Sequence, residues 1–334
     1  MCGIAGVIDL EGKRDIDRRI VERMTAALER RGPDGHGFYF EPGVGFGHRR
    51  LAIIDEAGGK QPFISTTGKT VLTYNGEIYN HHTLRKELIG KGRSLTTRSD
   101  TEVLAELLDL RGPDALPSLT GMFAFAAWSP RNETFVLARD RLGEKPVYYH
   151  LTQDGFLVFA SELDALVAGG WATEQIDGTA VADYLFYGYV PDPKSIYKGI
   201  YKLPPGHYLF ARRGREVGPP RPWWQVRFAP NPHMGFEDAV DDLLPLLDRT
   251  TGDQMMSDRP IAAFLSGGVD SSAVTSSMVK AASGPVTTCA MGFDDPSADE
   301  RGFAKEVAPL LGTQHQEGMV AANHEPLIPA LAAN

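Results

Sequence analysis

The sequence predicts two mixed α/β units in succession: a sheet-rich α+β layered domain, then a smaller α/β domain. Three observations carry this. Short strand patterns alternate with a few amphipathic helices as far as Ala160. A stretch rich in Pro and Arg interrupts regular structure after Leu203. Beyond it an apolar strand runs into a Gly- and Ser-rich loop and then a helix of small and apolar residues.

A length of 334 residues favours two domains over one. Hydrophobic content of 42% and charged content of 23% fit a globular protein with a sizeable core. The net charge of −9 argues against nucleic acid or an anionic membrane as the main partner. Two cysteines far apart make no disulfide framework, which suits a reducing, cytoplasmic location. No basic region followed by an apolar core opens the chain, so no signal peptide is expected. No run approaches ~18 apolar residues, so no membrane span is expected either.

In chain order, residues 3–10 read as a strand. Ile16, Ile20, Met24, Ala27 and Leu28 follow helical spacing, and Gly32-Pro33 stops that helix. Residues 35–40 and 43–48 are short Gly-rich segments, followed by an apolar run at 51–54. Residues 70–74 read as a strand ending at Asn75-Gly76. Asn80 is a candidate cap for a helix over 82–91. Ser99-Asp100-Thr101-Glu102 forms a capping box ahead of Val103, Leu104, Leu107 and Leu108. Residues 123–128, 134–139, 147–150 and 156–160 read as further strands. The expected division is a domain at 2–210, a junction at 211–235 and a second domain at 236–334, with the paired Trp223 and Trp224 as packing anchors between domains.

In the second domain, Phe236, Val240, Leu243, Leu244 and Leu247 have helical spacing, and Pro245 within it predicts a kink. A strand at 261–265 ends at Ser266-Gly267-Gly268-Val269-Asp270-Ser271-Ser272. Two glycines let backbone N–H groups turn inward, the serines add donors, and the following helix adds positive charge, so this loop suits a pyrophosphate. Asp270 in such a site calls for a cation such as Mg²⁺. No Gly-Lys-Ser/Thr follows, so this is not a Walker loop. Further strands are expected at 286–293 and 314–320, with a helix at 299–311.

Cys2 is either a small buried residue of the first strand or, once Met1 is removed, a nucleophile whose own α-amine serves as base. Arg31-Gly32-Pro33-Asp34 reads locally as a plain helix end and turn. Arg49 and Arg50 are either a solvated edge or a grip for a carboxylate. Asn75-Gly76 is a turn or an oxyanion hole. Asp100 is explained already as a helix N-terminal acid.

Taken in order, these segments resemble the class II glutamine amidotransferase domain, in particular that of glutamine-hydrolysing asparagine synthetases. The matching residues are Met1-Cys2-Gly3-Ile4, Arg31-Gly32-Pro33-Asp34, His48 to Leu51 with Ile53-Ile54-Asp55, Asn75 to Asn80, and Ser99-Asp100. Gly121-Met122-Phe123-Ala124-Phe125, Ala138 to Gly143, Lys145-Pro146-Val147-Tyr148-Tyr149 and Ser161-Glu162-Leu163 continue the match. Glu144 and Asp164 depart from the family pattern. The resemblance implies a four-layer αββα sandwich of N-terminal-nucleophile type. It implies that Cys2 attacks the amide of glutamine, releases ammonia and leaves a thioester for water. Asn75 and the Gly76 amide would stabilise the oxyanion, Arg50 would bind the α-carboxylate, and Glu77 and Asp100 the α-ammonium. Leu51, Ala52, Ile53 and Ile54 would form one wall.

Ser266-Gly267-Gly268-Val269-Asp270-Ser271 resembles the loop of the ATP-pyrophosphatase fold. That implies ATP with Mg²⁺ activating aspartate as an acyl-adenylate, with Leu265 and Met291 lining the adenosine site and Asp270 holding the metal. Ammonia would pass through an internal tunnel to displace AMP. A homodimer is compatible with the resemblance. The family's synthetase domain continues well beyond residue 334, so the acceptor-binding residues are not expected here. A relative that amidates another carboxylate, as in exopolysaccharide synthesis, and a non-catalytic module remain alternatives.

Overall fold

The structure, a computed structural model, describes residues 1–172, 175–295 and 299–320. It divides into two compact units, Met1–Arg227 and Phe228–Asn334.

In the first unit the elements run β1 (Gly3–Asp9), α1 (Arg18–Ala27), β2 (Gly35–Glu41), β3 (Val44–Arg50), β4 (Phe63–Ile64) and β5 (Val71–Ile78). Then follow α2 (His81–Gly90), α3 (Asp100–Arg111), β6 (Gly121–Ser129), β7 (Thr134–Arg139), β8 (Tyr148–Leu151) and β9 (Phe156–Ala160). The unit closes with α4 (Leu163–Ala168), α5 (Gly178–Tyr187), β10 (Ile200–Lys202), β11 (His207–Arg212) and β12 (Arg221–Pro222). Two six-stranded sheets form, ordered β10-β8-β9-β1-β3-β2 and β12-β11-β7-β6-β5-β4. Their ladders are antiparallel throughout.

Three apolar clusters separate four layers. Ile4, Ile8, Phe46, Ala126, Trp128, Phe135 and Phe159 fill the space between the sheets. Val7, Val21, Met24, Leu28 and Leu166 join the first sheet to α1 and α4. Leu72, Tyr74, Leu84, Leu104, Leu107 and Phe123 join the second to α2 and α3. Since β1 is buried on both faces along its whole length, its N-terminal end is held rigidly. This is the αββα sandwich that the resemblance implied.

Local details depart from the sequence reading. β5 does not stop at Asn75-Gly76 but pairs with β6 as far as Ile78↔Gly121. Gly76 is needed there because a Cβ would lie 2.2 Å from the Met122 carbonyl oxygen, so ladder packing, rather than a turn, explains it. Half of the expected capping box forms: Ser99 caps α3 by accepting from Thr101 N–H, whereas Glu102 accepts from Thr96 and Thr97 N–H at 2.8 Å each. Asn80 precedes α2 without a side-chain cap bond; its amide instead joins Ser118 O and Thr120 N–H.

The junction expected at 211–235 is in large part folded onto the first unit. β11 pairs with β7 from Tyr208↔Ala138 to Arg212↔Thr134. Trp223 stacks on Phe123 at 5.9 Å, and its indole N–H donates to Arg139 O at 3.1 Å. It therefore anchors within that unit.

The second unit contains α6 (Phe236–Gln254), β13 (Ala262–Phe264), α7 (Val269–Ala281), β14 (Thr287–Phe293), α8 (Arg301–Leu311) and β15 (Gln314–Val320). Its sheet, ordered β13-β14-β15, is parallel. α6 runs through Pro245 as one element and buries no residue fully.

Candidate active site

Cys2 lies at the N-terminal edge of the first sheet, one residue before β1. It faces the end of β5 in the second sheet. The pocket between them is lined by Cys2, Arg50, Leu51, Ile53, Ile54, Gly59, Gln61, Tyr74, Gly76, Glu77, Ser99, Asp100 and Thr101. Most of the residues assigned to this site by sequence meet here. Two do not line it. Ala52 is buried, gives its N–H to Asp34 Oδ2 at 2.8 Å and lines a neighbouring cavity. Asn75 is buried beside the wall, and its Nδ2 has no hydrogen-bond partner among the described residues.

The chain segments around Cys2 hold it from several sides. Leu51 N–H donates to Cys2 Sγ at 3.4 Å, and Sγ reaches Leu51 O at 3.6 Å. Arg31 Nε donates to Cys2 O at 2.9 Å, while Arg31 Nη1 pairs with Glu162 at 2.7 Å. Asp34 N–H donates to Arg50 O at 3.0 Å. Arg31-Gly32-Pro33-Asp34 is thus more than a helix end: it braces both Cys2 and the wall segment after β3. The Arg50 guanidinium donates to Asp55 O at 2.7 Å and Ile54 O at 3.3 Å, curling that wall around itself.

Opposite, Asp100 Oδ2 accepts from Tyr74 Oη at 2.7 Å and from Ile78 N–H at 3.0 Å. Burial, then the neighbouring Asp100, pushes the Glu77 carboxyl up to about 8. Asp100 is also raised by burial, against the opposing pull of the Ile78 N–H and Tyr74 hydroxyl. Two carboxyls close together in one pocket thus each resist losing their protons. Burial raises the Cys2 thiol, and the Leu51 hydrogen bond works against this. The sulfur therefore rests as a thiol near neutral pH.

Sequence reasoning passed over Tyr74 and Gln61. Tyr74 is apolar-looking core at strand spacing, and Gln61 is a loop residue whose Oε1 accepts from Tyr74 N–H at 2.7 Å. Nothing local marks either as part of a pocket.

In the second unit, the loop between β13 and α7 is closed by its own serines. Ser266 Oγ meets Ser271 Oγ at 2.9 Å, and Gly268 N–H donates to Ser266 Oγ at 3.2 Å. Gly267 has φ +79°, and a Cβ there would lie 2.5 Å from the Phe303 backbone. Asp270 is exposed in the first turn of α7, Leu265 is buried below the loop, and Met291 is part-exposed on β14. Among the described residues no group of three or more His, Cys, Asp or Glu side chains is placed to hold a metal. No helix of the described residues is long and apolar enough to cross a membrane.

Residues 1–224 match the family model described as "Glutamine amidotransferase domain", and residues 242–332 the one described as "Asparagine synthase". The chain is similar to asparagine synthetase (glutamine-hydrolyzing) 3 of Bacillus subtilis, 38% identical over 279 residues, or 82% of this chain and 45% of that protein. It is 31% identical over 335 residues to asparagine synthetase B (glutamine-hydrolyzing) of Escherichia coli, 95% of this chain and 54% of that protein. The chain spans about half the length of these relatives. In fold it is similar to glutamine phosphoribosylpyrophosphate amidotransferase of B. subtilis, with a TM-score of 0.50 at 18% identity over 95% of this chain and 65% of that one.

Proposed function

The chain belongs to the glutamine amidotransferase family, on the branch of the glutamine-hydrolysing asparagine synthetases, and from that premise we propose that its first unit hydrolyses glutamine to glutamate and ammonia. The observation that carries this reading is the make-up of the pocket wall. One thiol, Cys2, shares a small cavity with one guanidinium, Arg50, and two carboxylates, Glu77 and Asp100. A zwitterionic amino acid needs a cation for its carboxylate and anions for its ammonium. Oriented that way, its side-chain amide is presented to the sulfur.

With Met1 removed, the α-amine of Cys2 takes the thiol proton, and Sγ adds to the amide carbon. Strand alternation favours a donor at the right place for the resulting oxyanion. Tyr74 and Ile78 N–H groups both point to the outer edge of β5, so the Gly76 N–H points there too. Asn75 Nδ2, unpartnered beside the wall, becomes the second donor once its side chain turns into the pocket. The amine returns its proton to the departing ammonia, and water releases glutamate from the thioester.

The second unit is proposed to bind ATP through Ser266, Gly267, Gly268 and Ser271 at the start of α7, with Leu265 and Met291 against the adenosine. Backbone N–H and hydroxyl donors fit phosphate oxygens. A single exposed carboxylate, Asp270, fits Mg²⁺ only when the phosphates share it. ATP would supply the activation of an acceptor carboxylate, and the names of the relatives favour aspartate as that acceptor. The test is glutamate release from glutamine by the Met1-free chain. Activity lost in Cys2→Ala supports the reading, and activity retained in it overturns the reading.

A further inference from the structure

We propose that Tyr74 is a positioning residue of the glutamine pocket: its buried hydroxyl fixes the Asp100 carboxylate in one orientation toward the substrate ammonium. The proposal rests on the glutaminase reading and deepens it.

β4 covers the outer edge of β5 only at Val71 and Leu72. Beyond it, side chains take the place of a neighbouring strand: Gln61 Oε1 accepts from Tyr74 N–H at 2.7 Å, and Asp100 Oδ2 accepts from Ile78 N–H at 3.0 Å. Tyr74 closes this arrangement, because its hydroxyl donates to the same Asp100 Oδ2 at 2.7 Å. Both of these donors fall on Oδ2, so the edge of β5 sets the tilt of the carboxylate. Tyr74 is 2% exposed and packed in the apolar layer under α3, so its hydroxyl has little freedom to leave Asp100.

The charges around Asp100 show why this bond matters. From β5 comes Glu77, a like charge whose own ionisation Asp100 works against. Cys2 stands at the start of β1 and Arg50 at the end of β3, across the same pocket. Lys145, from the loop after β7, favours the charged form of Glu77. The donors that favour the charged form of Asp100 are the Ile78 and Thr101 N–H groups, its own N–H and the Tyr74 hydroxyl. Tyr74 is the side chain among them, and the one that substitution can remove without touching the backbone.

The test is Tyr74→Phe in the Met1-free full chain, alone and combined with Asp100→Asn. Losing a hydrogen bond to a charged group is expected to raise KM for glutamine roughly 10-fold or more, with kcat changed little. The acid limb of kcat/KM should move to higher pH. In the Asp100→Asn background the same substitution should have no further effect on KM. An unchanged KM and pH profile in Tyr74→Phe, or an equal effect in both backgrounds, overturns the proposal. Thermal unfolding separates out a folding defect: a lowered midpoint with unmoved KM and pH limb also counts against it. If the parent chain itself releases no glutamate, the glutaminase reading falls and this proposal with it.

Discussion

Arg31 Nε donates to the Cys2 carbonyl at 2.9 Å while its Nη1 holds Glu162 at 2.7 Å. One largely buried guanidinium therefore ties the first residue of the pocket to the strand end that precedes α4. Replacing Arg31 by Met leaves Glu162 unpaired and the Cys2 peptide loose. A hydrogen bond to a charged group contributes about 1.5–3 kcal/mol, so the expected outcome is a lower unfolding midpoint together with a kcat loss that exceeds any change in KM. Calorimetry and steady-state glutaminase assays on the same preparation check both.

The two proposed oxyanion donors make a second pair of variants. Asn75→Ala should lower kcat by ~10²–10³ with little change in KM or stability, as removal of one preorganised donor does. Gly76→Ala should behave differently. Its Cβ would lie 2.2 Å from Met122 O, so the β5–β6 ladder must shift, and overpacking of this kind typically costs about 1–3 kcal/mol. Loss of folded protein, seen by circular dichroism, should accompany loss of activity in that variant alone.

The carboxylate pair gives a pH dependence with a definite sign. Glu77 is raised from 4.5 to about 8 by burial and by Asp100. Between those values the folded chain keeps a proton that the unfolded chain has released, so this group makes stability fall as pH rises through that window. An ammonium in the pocket reverses the preference and favours ionised Glu77. Glutamine binding to the Cys2→Ser chain near pH 7 should therefore release protons, which calorimetric titration in buffers of different ionisation enthalpy measures. Glu77→Gln should abolish the release.

Gly267 offers a test confined to the second unit. Alanine there would combine a strained φ of +79° with a Cβ 2.5 Å from the Phe303 backbone. ATP binding should be lost while glutamate release in the absence of ATP stays at the parent rate.

Much of this was legible in the sequence, and the failures are instructive. Strands such as β7 and β9, and the helix behind Ser99, follow from alternation and spacing of apolar residues, because burial on one face fixes the period. Asn75-Gly76 misled as a strand end because turn propensity is local, whereas the pairing of β5 with β6 is not. Arg31 and Asp34 looked like an ordinary helix end for the same reason: their partners Cys2 and Ala52 are distant in sequence. β11 was hidden inside a Pro- and Arg-rich stretch, and only its ladder with β7 reveals it. The pocket residues Cys2, Arg50, Glu77 and Asp100 were legible as an ordered set of motifs. That Tyr74 and Gln61 join them is a consequence of the sheet edge, which no single motif encodes.

The most direct test of the account is covalent labelling of the Met1-free chain with a glutamine-mimicking electrophile, followed by peptide mass spectrometry. The account expects a single adduct at Cys2, formed more slowly in the presence of glutamine and abolished when Met1 is retained. An adduct at Cys289 instead, or labelling of Cys2 that neither glutamine nor Met1 affects, would contradict it.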